Sequence, residues 1–216
     1  MKMQFGVGLG QGTTLPQRAN LKKLETLVKL TEDCGVTSIG TYDTSFIGGD
    51  AFVRATLLAT FSEHARIGLR PTNPLTREPQ VMAGFAASLD SLTEGRAFLD
   101  IASGDSAVYN IGLKPASRRL IEAYVKCVQE LLATGESEFE GRPQRIRWHK
   151  DAYRPKVPIS ICAEGPRMLH LTGRIADGVI AGTGLTPDVV SDTIRRVHGG
   201  AQAESRDPSD VEIWFT

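Results

Sequence analysis

The sequence predicts an α/β fold of the TIM-like (β/α)8 barrel type, incomplete in that this chain supplies seven strands, and three observations predict it. Short β-rich runs alternate with amphipathic helical stretches along the whole chain, the pattern of parallel strands joined by helical crossovers. Glycine and proline punctuate the helices at the places where helices stop and start. The strand-like runs end in small, polar segments, as barrel strands do where their following loops carry ligand contacts.

The predicted strands are Phe5–Leu9, Val36–Tyr42, Ala65–Leu69, Ala97–Ala102, Val157–Ala163, Gly178–Ala181 and Val211–Phe215. The first helix carries Leu21, Leu24, Leu27, Val28 and Leu30 on one face, and Gly35 stands where a left-handed cap ends it. The third runs from Pro79 through Met82, Phe85 and Leu89 to Gly95, and the fourth from Ser117 through Tyr124 and Leu131 to Gly135. Pro166 and Pro187 open the next two, with Thr186 as the expected N-cap of the last. Residues 136–156 break the alternation and read as an excursion, a small hairpin, between the fourth helix and the fifth strand. A full barrel of this type takes about 250 residues. The 216 residues stop inside an apolar strand, so one barrel domain over 1–216 is expected to continue natively with a helix, an eighth strand and a closing helix.

Composition narrows the function classes. The chain is 41% hydrophobic and 23% charged, with 25 basic against 25 acidic residues and no basic run interleaved with aromatics, so a nucleic-acid partner has no support. No segment approaches membrane-spanning length and no apolar signal region follows Met1, which implies a cytoplasmic protein acting on a small-molecule substrate; a homo-oligomer is expected. Cys34, Cys127 and Cys162 lack metal-ligand spacing and read as buried structural thiols. The four histidines fall in or beside helices and in the excursion, away from strand ends, which favours surface or packing roles. No Gly-x-Ser-x-Gly elbow or metal spacing appears, so no metal site is expected and hydrolase chemistry lacks a constellation.

Chemistry is expected where strands end. Strand four runs into Ser103-Gly104-Asp105-Ser106, which offers two hydroxyls, one carboxylate and a glycine that lets backbone approach a ligand closely. Strand one ends in Gly8-Leu9-Gly10-Gln11-Gly12, strand two in Thr41-Tyr42-Asp43-Thr44-Ser45, and strand three in Arg70-Pro71-Thr72-Asn73-Pro74. Strands five and six end in Ala163-Glu164-Gly165-Pro166-Arg167 and Gly182-Thr183-Gly184, whose glycines near helix starts would free backbone N–H groups for a phosphate. Any one of these loops reads equally well as a tight βα turn; six at one barrel face weigh more. Asp43 reads equally as a proton donor or orienter and as a loop or N-cap carboxylate.

The segment Thr72–Pro79, the helix end Leu89–Arg96, Ser103–Ala107 and Ala163–Arg167 together resemble the luciferase-like monooxygenase superfamily, closest to the branch of methylenetetrahydromethanopterin reductase-like, flavin- or deazaflavin-dependent oxidoreductases. The resemblance covers nearly the whole chain and implies a barrel that binds FMN or coenzyme F-420 at its C-terminal face. It implies that Ser103, Gly104, Asp105 and Ser106, with Ala163 to Arg167 and Gly182, Thr183 and Gly184, hold the ribityl-phosphate end. Arg70, Pro71 and Thr72 would back the ring, with a cis peptide at Arg70-Pro71, where the family's bond is typically non-prolyl. Asp43 and Asn73 are the catalytic candidates, and Thr72 and Asn73 would hydrogen-bond ring or substrate. Deazaflavin-using relatives often carry an Asp-His pair where this chain has Asp43-Thr44, which leaves the general acid open.

The expected activity is therefore an oxidoreductase transferring hydride to, or oxygenating, a small organic substrate. The rival is a non-catalytic flavin-binding or interaction subunit. A phosphate-binding lyase of the Schiff-base kind is disfavoured, because no lysine stands at a strand end.

Overall fold

The computed structural model describes residues 3–9 and 15–216, so Gly10, Gln11 and Gly12 of the first strand-end loop lie outside the described residues. In chain order the elements are β1 (Gly6–Gly8), α1 (Leu21–Asp33), β2 (Ser38–Thr41), α2 (Ser45–Gly48), α3 (Ala51–Phe61), β3 (Arg66–Thr72) and α4 (Pro79–Leu92). There follow β4 (Ala97–Ile101), α5 (Ser106–Tyr109), α6 (Arg118–Thr134), a hairpin of β5 (Glu136–Phe139) and β6 (Arg142–Arg145), β7 (Ile159–Cys162), α7 (Pro166–Ile175), β8 (Gly178–Ala181), α8 (Pro187–Ala203) and β9 (Glu212–Phe215). The order β1-β2-β3-β4-β7-β8-β9 gives one seven-stranded sheet in which every ladder is parallel.

Each of the seven predicted strands is present. β3 continues through Arg70-Pro71 to Thr72 instead of ending at Leu69; that peptide is cis, and the register against β4 shifts between Leu69 and Thr72. The four-residue helices α2 and α5 were not predicted, because so short a segment carries no hydrophobic period. Ser117 caps α6 by accepting from the Leu120 N–H at 3.2 Å, and Gly135 closes it at φ 81°. Thr186 does stand at the N-cap of α8, but its side chain makes no cap bond; Pro187 alone opens that helix.

The pleat divides the sheet into two unlike faces. Ile39, Ile67, Leu69, Leu99, Ile101, Ile159, Ile161 and Val179 join the core shared with Met82, Leu131 and other helical residues. The alternate set includes Arg66, Arg70, Phe98, Asp100 and Trp214. Arg70 Nε donates to Asp100 Oδ2 at 2.6 Å, and its guanidinium lies 4.6 Å from the Phe98 ring centroid and 5.6 Å from that of Trp214. Glycines clear its path. A Cβ on Gly6 would lie 2.4 Å from Arg70 Nη1 and 3.4 Å from the Trp214 ring, and one on Gly40 would lie 2.4 Å from Arg70 Cβ. Trp214 of β9 thus abuts Gly6 of β1, so the sheet curls until its two edge strands are within a side chain of each other, the half-closed form of a barrel. Arg66 Nη1 to Glu212 Oε2, at 2.8 Å, spans β3 and β9 in the same way.

The excursion is a hairpin braced against α4 and α6. Phe139 is buried edge-on to Tyr124 at 5.8 Å, Arg142 pairs with Glu78, and Gln80 Nε2 donates to the Arg145 carbonyl at 2.9 Å. Trp148 packs against the core beside Gly84, His149 against Gly135 and Tyr153 against Gly95, which are packing positions outside the sheet. The reading of all three cysteines as buried is corrected: Cys127 is buried, Cys34 is exposed, and Cys162 is partly buried.

Candidate functional site

A cavity of about 860 Å³ opens at the C-terminal ends of the strands. Its wall is assembled from the segments after β2, β3 and β4 and from the ends of β7, β8 and β9, because parallel strands deliver all their following loops to one face. Of the predicted site residues, Asp43, Pro71, Thr72, Asn73, Ser103, Gly104, Asp105, Ser106, Ala163, Glu164, Gly165 and Gly182 line it. Arg70, Pro166, Arg167, Thr183 and Gly184 do not. Arg70 is turned into the barrel interior toward Asp100, and Pro166 and Arg167 are exposed on the first turn of α7. Tyr42, Thr44, Ile47, Ala102, Ala107, Cys162, Met168, Ile180 and Thr216 line the cavity without having been predicted. The strand period could have found Cys162 and Ile180, which share a face with Ser160 and Gly178.

The most connected side chain lining the cavity is Asp43, which is 4% exposed. It accepts from Thr72 Oγ1 at 2.9 Å and from Arg77 Nε and Nη2 at 3.0 Å each, while its own N–H donates to the Pro71 carbonyl at 3.0 Å. Arg77 also reaches Asp50 at 2.9 Å, and Asp50 caps α3 by accepting from the Phe52 and Val53 N–H groups. The Arg77 guanidinium lies 4.2 Å from the Phe52 ring centroid. Its bond to Asp43, against burial and together with Asp50, holds Arg77 above the usual guanidinium range. Of the two readings of Asp43, the N-cap of α2 belongs to Thr44 instead, and the carboxylate is a buried ion-pair member with three donors on it.

Asn73 is also buried. Its Oδ1 accepts from the Leu75 and Thr76 N–H groups at 3.0 and 3.1 Å, a turn that fixes the amide at the cavity wall. Beside Asn73, Gly104 has φ 90°, and a Cβ there would lie 2.3 Å from Val108 Cγ2 and 3.4 Å from Asn73 Cβ, so this loop keeps its shape only with glycine. Asp105 caps α5, its carboxylate accepting from the Ser106 N–H and from Ser106 Oγ at 2.9 Å. Thr44 Oγ1 and Ser106 Oγ stand 3.5 Å apart, linking the segments after β2 and β4.

The charged side chains lining the cavity are Asp43, Asp105 and Glu164, and Glu164 is exposed. Glu164 Oε1 and Thr216 Oγ1 lie 3.0 and 3.3 Å from the position a Cβ on Gly182 would take. Burial pushes the Cys162 thiol well above its usual range, with Asp100 acting the same way. No histidine lines the wall, and among the described residues no group of three His, Cys, Asp or Glu is placed to hold a metal ion. Among the same residues no helix is long and apolar enough to cross a membrane.

The comparisons with known proteins agree with this architecture. A 5,10-methylenetetrahydromethanopterin reductase of Methanolobus tindarius is 26% identical over 194 residues, 88% of this chain and 59% of that protein. One from Archaeoglobus fulgidus is 30% identical over 163 residues, 73% of this chain and 48% of the relative. This chain thus spans about half to three fifths of the length of these relatives. Among solved structures, a coenzyme F-420-dependent tetrahydromethanopterin reductase from Methanopyrus kandleri superposes with a TM-score of 0.80 at 22% identity, covering 100% of this chain and 65% of that one. A long-chain alkane monooxygenase does so with a TM-score of 0.81 at 13% identity, covering 100% and 64%. The sequence profile described as luciferase-like monooxygenase matches residues 3–216, so the chain belongs to the luciferase-like monooxygenase family.

Proposed function

We propose that this chain is an oxidoreductase that binds FMN or coenzyme F-420 in the strand-end cavity and acts on a small organic substrate. One observation carries the reading: polar side chains and close-approach backbone from six strand ends converge on one cavity of about 860 Å³, large enough for a tricyclic ring and its side chain. The kinship with coenzyme F-420-dependent reductases and with monooxygenases supports the same class.

Bound there, the flavin or deazaflavin would supply the electron-pair or oxygen chemistry, and the protein positions it and controls access to it. Pro71 and Thr72 would stand behind the ring. The Asn73 NH2 group would donate to it, with the carbonyl end of the same amide tied to its own loop. Gly104 would let backbone approach the ribityl chain, and Ser103 and Ser106 would supply hydroxyls beside it. Asp43 would act as an orienter: three donors already hold it, so it fixes Thr72 and Arg77 in place rather than delivering a proton. Ala163, Glu164, Gly165 and Gly182 form the wall for the distal, phosphate-bearing end.

Titrating the purified protein separately with FMN and with coenzyme F-420, by flavin fluorescence quenching and deazaflavin absorbance, tests the reading. Micromolar binding of one of them, followed by its reduction or reoxidation in the presence of a substrate, is expected. Tight binding without turnover would favour the non-catalytic flavin-binding subunit, and binding of neither would end the proposal.

A further inference from the structure

Arg54 is a charged side chain outside the cavity that the fold buries: it lies on α3 and is 4% exposed. Its guanidinium meets Tyr42 twice. Nη2 donates to the Tyr42 carbonyl at 2.6 Å, and the guanidinium carbon stands 4.5 Å from the Tyr42 ring centroid. Gly48 makes room for it, since a Cβ there would lie 2.2 Å from Nη1. Nε and Nη1 are buried and have no hydrogen-bond partner among the described residues. Leaving buried donors unsatisfied costs stability, and replacing a buried charged group by an apolar one of similar volume is often neutral or stabilising. Packing alone therefore does not account for an arginine at this position.

What the guanidinium holds is the segment after β2, of which Tyr42, Asp43, Thr44 and Ile47 line the cavity. Arg77 on Asp43, and the Asp43 N–H on the Pro71 carbonyl, tie that segment to the one after β3. Arg54 ties it to α3, at Tyr42 and beside Gly48 of α2. A guanidinium suits the task, because its edge donates to a carbonyl while its flat face covers an aromatic ring. We propose that Arg54 is a positioning residue that acts on the bound ligand through Tyr42, by fixing residues 42–48 in the cavity wall. The inference rests on the reading of the cavity as the cofactor and substrate site.

The test compares Arg54→Met, Tyr42→Leu and the double variant with the unaltered chain. Affinity for FMN and for coenzyme F-420 is read by titration, and amide hydrogen exchange of residues 42–48 by mass spectrometry without any cofactor. Arg54→Met should weaken binding about tenfold or more in the unaltered background and less than about twofold in the Tyr42→Leu background, because the effect passes through Tyr42. Exchange should rise about tenfold at residues 42–48, where the Asp43, Ile47 and Gly48 N–H groups are hydrogen-bonded, and stay unchanged in α6 and α7. If Arg54→Met does not fold, Arg54→Lys, which keeps the charge and loses the planar fork, takes its place with the same expectations. Unchanged affinity, an equal loss in both backgrounds, or exchange that rises throughout the chain or nowhere would overturn the proposal. If the unaltered chain binds neither cofactor, the reading of the cavity fails, and the exchange of residues 42–48 alone decides whether Arg54 holds that segment.

Discussion

Arg77 grips Asp43 with two parallel bonds of 3.0 Å, Nε to Oδ2 and Nη2 to Oδ1, across 34 residues of chain. The pair ties the segment after β3 to the segment after β2 at the wall of the cavity. Removing one member should therefore disturb both stability and binding. Arg77→Met leaves the buried Asp43 carboxylate with Thr72 as its remaining side-chain donor, and loss of a buried partner costs about 3 kcal/mol. The expected result is a Tm lower by several degrees together with weaker binding of FMN or coenzyme F-420. Differential scanning calorimetry and fluorescence titration read the two effects, and an unchanged affinity in folded Arg77→Met would remove this pair from the site.

Gly104 tests the cavity at the segment after β4. Its φ of 90° and the 2.3 Å approach of a would-be Cβ to Val108 Cγ2 mean that Gly104→Val must shift the loop carrying Ser103, Asp105 and Ser106. Strain of this kind costs about 1–3 kcal/mol. Cofactor affinity should fall at least tenfold. Wild-type affinity in a folded variant would show that the loop does not touch the ligand.

The loops and the interior differ in how far the sequence exposes them. Apolar β-rich runs between helical stretches located all seven strands, and the Pro and Gly punctuation located the long helices, because both signals are local in the chain. The same signals named most of the cavity wall. They could not show that Arg70 turns inward while Thr72, two residues on in the same strand, lines the cavity, since the register shift between Leu69 and Thr72 breaks the strand period there. Arg77 escaped notice for a related reason: its role depends on Asp43 at 34 residues' distance, a spacing that repeats as no motif.

The interior glycines offer a paired test of the curled sheet. Gly40→Ala places a methyl 2.4 Å from Arg70 Cβ and 3.3 Å from the Phe98 ring, so it should destabilise by roughly 2–3 kcal/mol. Gly8→Ala meets nothing within 4 Å and should lie within about 0.5 kcal/mol of wild type. Urea midpoints of the two variants decide it. Equal destabilisation would mean that Arg70 does not fill the space in front of β2.

Glu32 supplies a pH signature far from the cavity. Burial opposes its ionisation, but the N–H groups of Ala65, His64 and Glu63 and the Ser62 hydroxyl outweigh it and bring the pKa from 4.5 to about 2. The bonds run from 2.7 to 3.2 Å and pin the α3–β3 turn to α1. Because the folded value lies below the unfolded one, the carboxylate stabilises the fold fully above pH 4.5, and the gain is lost as pH falls from there toward 2. Discounted for partial exposure, it is worth about 2 kcal/mol. Glu32→Gln should lower stability at pH 7 by about that amount and flatten the decline between pH 4.5 and 2, as urea unfolding across that range would show. A decline as steep in the variant as in the wild type would assign the acid sensitivity to other carboxylates.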